Sequence, residues 1–217
     1  MSHMGIVRSK EPIRLFKSDF LEFFTHIHPA VVLAVWIPVI AYFCYRALAS
    51  RPGELFAGAV PVGLVLGVFV WTFVEYTLHR FVFHFWPRTA WQERVSFLFH
   101  GVHHAQPLSK TRLVMPPALS IPLAGLVYAV LLLLVDVILG LEWWLNPLFG
   151  GLLVGYVIYD MFHYASHHLR VRWAGYRQLR RHHLYHHTQT PDKRFGVTSP
   201  LWDVVFGTMP RGSQTGR

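Results

Sequence analysis

The chain has 217 residues, of which 53% are hydrophobic, 16% aromatic and only 14% charged, where a soluble domain carries about 25% charged residues. So much apolar surface excludes a disordered chain, and a single cysteine, Cys44, excludes a disulfide scaffold. The formal net charge is +9 and 15 residues are histidine. A basic, apolar, histidine-rich chain points to a membrane protein with a metal site rather than to a nucleic-acid binder.

Residues 13–27 set Ile13, Phe16, Phe20, Phe23, Phe24 and Ile27 at helical spacing. This predicts an amphipathic helix at the membrane interface, within an N-terminal segment of residues 1–29. Pro29 then opens the first of four runs long enough to cross a bilayer, which takes about 20 apolar residues. The predicted spans are residues 30–48, 55–79, 113–135 and 143–162. Ser50-Arg51-Pro52-Gly53 signals a turn between the first two, and Gly140 with Asn146-Pro147 a turn between the last two. Pro116, Pro117 and Pro122 predict an irregular start to the third span. Residues 80–112 and 163–210 remain as a cap. The fold class is an all-α integral membrane protein, with four transmembrane helices in two hairpins and a cytosolic helical cap holding a histidine-rich dimetal site. The whole chain reads as one domain.

Charge sets the expected orientation. Eighteen of the twenty Lys and Arg residues fall in the N-terminal segment, the 80–112 connection and the stretch after span four. Four spans put those three regions on one side, which the positive-inside rule makes cytoplasmic. Both termini and the metal site are therefore expected there.

Twelve histidines fall in four clusters: His79/His84, His100/His103/His104, His163/His167/His168 and His182/His183/His186/His187. All four lie on that same side, at the ends of the second and fourth spans. His163 and His167 are four apart, and the HxxHH pattern, which occurs twice, gives spacings of three and four that share a helix face. Imidazole is a neutral ligand suited to iron, zinc and copper. About ten such ligands exceed what one ion accepts, so two metals a few ångströms apart are expected. Glu75, Asp160 and Asp203 are candidates to orient the ligating rings, since a metal-bound histidine commonly hands its second N–H to a carboxylate or carbonyl. Tyr159, Tyr164 and Tyr185 lie near the clusters as hydrogen-bonding or interfacial residues.

The ordered boxes HxxxxH, HxxHH, HxxxH and HxxHH resemble those of the fatty acid hydroxylase/sterol desaturase superfamily. Four stretches narrow the resemblance to fatty acid 2-hydroxylases: Glu75–His84, Thr111–Pro117, Tyr159–Tyr164 and Phe195–Asp203. The resemblance covers roughly residues 65–210. It implies a membrane di-iron monooxygenase that hydroxylates the acyl chain of a fatty acid or sphingolipid, at C2, using O2. The implied metal ligands are His79, His84, His100, His103, His104, His163, His167, His183, His186 and His187. Asp160, Tyr159 and Glu75 are the expected catalytic residues beside the metals. His168 and His182 fit the spacing less well and are read as outlying or solvated.

The implied cofactors are two Fe ions, with Zn an alternative occupant in purified protein. The implied partners are an acyl lipid (ceramide or fatty acid), the membrane, and an electron donor. Eukaryotic members often carry an N-terminal cytochrome b5 domain, and the 29 residues before span one are too few for it. Electrons are thus expected from a separate protein such as a cytochrome b5, or a ferredoxin with its reductase. The competing readings are a sterol or lipid desaturase or oxidase of the same superfamily, and a non-enzymatic membrane metal-binding protein.

Overall fold

A computed structural model describes residues 11–50, 53 and 58–210. The described residues are helical, with no strand. α1 (Asp19–Phe23) is little more than one turn and leads to α2 (Pro29–Ser50). α3 (Ala59–Thr77) continues through a π-helical turn, Leu78–Phe83. α4 (Ala90–Ser96) passes through a second π turn, Phe97–Gly101, into α5 (Val102–Ala105). α6 (Pro117–Leu131) ends in a third, Leu132–Ile138, and α7 (Glu142–His168), α8 (Ala174–Thr188) and α9 (Leu201–Val205) complete the chain.

Four helices are long and apolar enough to cross a membrane: Pro29–Ser50, Ala59–Phe83, Pro117–Ile138 and Glu142–His168. Their outer faces carry exposed apolar side chains, such as Val65 and Val137 at 70% and 69% exposure. Water would not tolerate so large a surface, whereas lipid tails cover it.

The predicted start of span two at residue 55 lies outside the described residues, as do Arg51 and Pro52 of the predicted turn. The third helix begins at Pro117 rather than Leu113. Pro116 is extended (φ −58°, ψ 140°) and Pro117 takes the first helical position, because a proline disfavours helical backbone at the residue before it. Asn146-Pro147, read as a turn signal, lies inside α7. α7 also runs past residue 162 to His168, so His163 and His167 extend the same helix out of the apolar zone.

The amphipathic helix predicted over 13–27 shrinks to Asp19–Phe23. Side chains explain the loss. Leu15 and Phe16 donate their N–H groups to Glu22 Oε2 at 2.9 and 2.8 Å, and Arg14 donates to the Phe16 and Lys17 carbonyls. Backbone groups satisfied in this way have no need of helical partners.

The tightest packing joins α3 to α7, and α2 also packs on α7. Gly63 and Gly67 on α3 meet α7, and Gly151 and Gly155 on α7 meet α3. A Cβ added at Gly67 would lie 2.1 Å from the Leu148 carbonyl oxygen, and one at Gly151 2.0 Å from that of Leu64. Small residues four apart let two helix backbones approach this closely within a membrane. Towards the cap the seam fills with Trp71, Leu152, Leu153, Tyr156 and Tyr159, joined by Val32 and Trp36 from α2. α9 folds back along α3: Trp202 donates from Nε1 to Thr72 Oγ1 at 2.9 Å and packs its ring on Phe73.

Candidate metal centre

All ten predicted histidines converge, in two groups of five. One holds His79, His84, His100, His104 and His186, and the other His103, His163, His167, His183 and His187, with the ligand nitrogens of each group within 4.8 Å of one another. The helices dictate this sorting. His100/His104 and His183/His187, each four apart, stay together, while the residue three along, His103 or His186, crosses to the opposite group. Each HxxHH box therefore serves both groups and ties them together.

Contacts between the rings test whether these groups fit a metal ion. In the second group, His103 Nε2 lies 2.8 Å from His163 Nε2 and 3.0 Å from His187 Nε2; His187 Nε2 lies 3.1 Å from His183 Nε2, which is 2.9 Å from His167 Nε2. A neutral imidazole has one N–H, and an Nε2–H can serve one neighbour. No choice of tautomers makes all four approaches hydrogen bonds. The Nδ1 atoms of His103, His183 and His187 are also buried without a partner. Lone pairs facing one another need a cation between them. Nitrogens about 2.1 Å from an ion stand about 3.0 Å apart along an octahedral edge and about 3.4 Å apart along a tetrahedral one, so the spacing suits five- or six-fold coordination. The first group repeats it, with His79 and His100 at 3.1 Å and His84 and His186 at 3.0 Å.

Protonation agrees with ligation. Burial, then the neighbouring His186 and His104 rings, lowers His84 to about 2. Burial lowers His186 to about 4 against the opposing Lys193 carbonyl. Burial foremost, with the crowding of other rings, also holds His100, His103, His104, His183 and His187 well below the ordinary histidine range. These seven rings are neutral at pH 7 and keep lone pairs for a metal.

The groups that orient the rings are chiefly backbone. His79 Nδ1 donates to the Phe195 carbonyl at 2.5 Å and His186 Nδ1 to the Lys193 carbonyl at 2.7 Å, which leaves both Nε2 atoms as lone-pair donors. The two carbonyls flank Arg194, whose φ of 61° turns the chain between them. Such backbone is uncommon outside glycine. Glu75 and Asp203 hold this loop in place. Glu75 accepts from the N–H groups of Val197 and Thr198 at 2.5 and 2.9 Å, and Asp203 from those of Phe195 and Gly196 at 2.8 and 2.9 Å. Burial would raise the Asp203 carboxyl, but hydrogen bonds from His182, Thr208 and Gly196 bring it below the ordinary range.

The predicted carboxylates thus act at one remove. Glu75 and Asp160 bond to none of the ten histidines. Asp160 accepts from the Met115 N–H at 3.2 Å and, weakly, from Tyr156 at 3.5 Å. Tyr159 stacks on His163 with ring centroids 5.8 Å apart. His182 bonds to Asp203 at 3.0 Å, in the outlying place expected of it. His168 packs beside Tyr164, and Tyr185 lies under the Arg194 guanidinium. The sequence reading missed the carbonyls of Lys193 and Phe195, which carry no side-chain signature. It also missed Arg112, visible only as part of the Thr111–Pro117 stretch.

An apolar cavity of about 380 Å³ opens onto both groups. Its walls include His100 from the first and His103 and His163 from the second, together with Leu15, Phe16, Leu21 and Phe24 of the N-terminal segment and Leu113 to Pro116. That volume is in the range of about 300–1,000 Å³ usual for small-molecule sites.

Known proteins are similar to this chain throughout. The sequence profile of the fatty acid hydroxylase family matches residues 64–208. A dihydroceramide fatty acyl 2-hydroxylase of Arabidopsis thaliana is 38% identical over 208 residues, covering 94% of this chain and 83% of the relative. A ceramide very long chain fatty acid hydroxylase of Saccharomyces cerevisiae is 41% identical, over 88% of this chain and 48% of the relative. The solved structure of full-length scs7p, in which only the hydroxylase domain is visible, superimposes with a TM-score of 0.78 at 40% identity, over 92% of this chain and 73% of that one. With a family match over most of its length and relatives this similar, the chain belongs to the fatty acid hydroxylase family.

Proposed function

We propose that the protein is a membrane monooxygenase that hydroxylates the acyl chain of a ceramide or fatty acid at C2, next to the carbonyl. The observation that carries this reading is the cavity: an apolar chamber sized for a lipid chain, with histidines of both five-membered groups on its walls. The similar proteins are fatty acyl 2-hydroxylases and ceramide hydroxylases by name, which supports the substrate class.

The ten histidines would hold two iron ions, five donors to each, with zinc able to occupy the same nitrogens. Iron bound there supplies the O2 activation that oxidation of an unactivated C–H bond requires. The protein's own part is positioning. Leu15, Phe16, Leu21, Phe24 and Leu119 give the chain an apolar bed and keep water from it. Tyr159 backs the His163 ring. Asp160 fixes Met115 and with it the wall segment that starts at Leu113. The carbonyls of Lys193 and Phe195 hold the second protons of His186 and His79 and so fix the direction of both rings.

Electrons would come from a separate acidic carrier such as a cytochrome b5 or a ferredoxin. A groove of about 400 Å³ is lined by Arg170, Arg177, Arg180 and Arg181 around Val171, Tyr176 and Leu184. Its Arg177 and Arg181 are exposed on the same helix that carries His183, His186 and His187, so a docked carrier would stand within about one helix diameter, about 10–12 Å, of the metal groups. In this reading the groove, the metal groups and both termini face the cytoplasm, and the lipid enters from the bilayer with its head at that interface.

The decisive experiment is expression of the chain with an electron supply, followed by mass spectrometry of total lipids beside His103→Ala. The expected result is acyl chains heavier by one oxygen that vanish in the variant. Identical lipid profiles would overturn the reading, and loss of two hydrogens in place of a gained oxygen would reassign the protein to desaturation.

A further inference from the structure

Arg112 stands on the wall of the cavity, directly before Leu113, Val114 and Met115. Its side chain is almost wholly buried, at 2% exposure. A guanidinium carries five N–H donors and no acceptor. Nη2 uses its two on Glu22 Oε1 and on His26 Nε2, the second at 2.9 Å. Nε and Nη1 are buried with no partner, so three donors of a buried cation go unmade. Native proteins rarely leave buried donors so, and each one needs an explanation.

The surroundings say what would satisfy them. The other cavity walls are apolar apart from the three histidines, Tyr159, Thr25, whose hydroxyl donates to the Glu22 carbonyl, and Asp160, which is engaged by Met115. Glu22 is held as a carboxylate: burial would raise it, but the N–H groups of Phe16 and Leu15 and the Arg112 guanidinium lower it. Arg112 and Glu22 therefore form a neutral pair that still offers donors. A second carboxylate would bring an uncompensated charge into a low-dielectric chamber, whereas an uncharged carbonyl oxygen accepts the hydrogen bonds without that cost.

We propose that Arg112 anchors the acyl lipid by its carbonyl oxygen, through the N–H groups that the protein leaves unmade. This rests on the reading of the cavity as the acyl site. An alkyl chain in an apolar slot has no fixed register, and one polar anchor at its head supplies it. Arg112 is thus a positioning residue that decides which carbon faces His100, His103 and His163. The Thr111 side chain keeps the arrangement in place through its 2.9 Å contact with His26 Nδ1.

The test is equilibrium binding, which needs no turnover: scintillation-proximity titration of tritiated N-palmitoyl sphinganine, palmitate and hexadecane on immobilised wild-type protein and Arg112→Lys. Lysine keeps a positive charge beside Glu22 but lacks the fork. The expected result is about ten-fold weaker binding of the amide lipid, unchanged binding of hexadecane, and turnover products spread over neighbouring carbons. Unchanged amide binding, or equal weakening for hexadecane, overturns the anchor. A loss confined to palmitate overturns the preference for an uncharged carbonyl. Should Arg112→Lys not fold, wild-type protein alone decides, since N-methylpalmitamide must then outbind hexadecane about ten-fold and parity overturns the anchor. Amide lipid bound as expected with no hydroxylated product would sink the hydroxylase reading and leave the anchor standing.

Discussion

His84 donates its backbone N–H to the carbonyl of His79 at 3.1 Å, closing a five-residue π turn. In an α-helix, residues five apart point about 140° away from each other. The π turn brings them back to one side, and the two rings sit 5.0 Å apart in the same five-membered group. Such turns gather at functional sites. The HxxxxH spacing is therefore a property of the backbone as much as of the ligands. Inserting an alanine after Val82 sets the two histidines six apart, about 120° from one another in an α-helix, and should swing His84 away. Elemental analysis of intact protein should then find one bound ion per chain where two are expected of wild type, and two ions in the insertion variant would refute the geometric assignment.

Substitutions within the groups should separate the two sites. His84→Ala removes a donor from the first and His167→Ala from the second, so each should retain one ion and lose the other. His103→Ala should be worse for activity than for metal content, since His103 lies on the cavity wall as well as against His163 and His187 of its own group. Metal content that falls in parallel to zero for every variant would mean a single cooperative cluster.

Much of this site was legible in the sequence. The four-residue spacings of His100/His104, His163/His167 and His183/His187 require those pairs to share a face, and each pair does share a group. What the spacing could not say is that His103 and His186, three along, cross over; that depends on how α5 and α8 face one another. The loop at Arg194 was illegible for another reason, because its two contributions are carbonyl oxygens. The seam between α3 and α7 was written plainly as GLVLG and GLLVG but was passed over, since hydropathy alone does not weigh glycine spacing. The N-terminal segment misled because Glu22 and Arg14 bond to backbone that helical periodicity assigned to a helix.

Acid should destabilise the metal-free protein from a definite point. His84 at about 2, His186 at about 4 and the five further buried rings outside the spans have folded values below the ordinary value of about 6.5. The unfolded chain then binds more protons than the folded one, so stability rises with pH across that window. The stabilisation is fully present above about pH 6.5 and is lost as the pH falls towards the folded values. Melting temperature should be flat from pH 8 to 7 and drop by roughly 10 °C or more by pH 5.5. A flat profile to pH 5 would show that these rings are not buried as neutral groups.

Asp203→Ala should weaken metal binding without touching a ligand. It removes the acceptor for the Phe195 and Gly196 N–H groups and for the Thr208 hydroxyl, and the Phe195 carbonyl that orients His79 loosens with them. Loss of such a partner typically costs 10–100-fold in metal affinity. Competition with a chelator reads the change directly, and Asp203→Asn, which keeps one acceptor oxygen, should fall between.

The glycine seam predicts a contrast within the membrane. Gly151→Val places its Cβ 2.0 Å from the Leu64 carbonyl oxygen, and backbone cannot step aside as a flexible side chain does. Gly125 on α6 has nothing within 4 Å of an added Cβ. Gly151→Val should cost more than the 1–3 kcal/mol common for overpacking and abolish a cooperative melt in detergent. Gly125→Ala should melt at or slightly above wild type, because alanine loses less freedom on entering a helix.

Charge reversal tests the groove on α8. Arg177 and Arg181 are exposed on its rim, while His183, His186 and His187 point to the other side of the same helix. Arg177→Glu with Arg181→Glu should leave both metal groups filled, since neither side chain bonds to a histidine. It should raise the KM for an acidic donor about ten-fold at low salt and flatten the salt dependence of turnover, because rim charges act chiefly through encounter and are screened over a Debye length of about 10 Å at 0.1 M. Turnover at saturating donor should change little. If donor KM and its salt sensitivity match wild type in the double variant, electrons enter by another face and the groove has no part in docking.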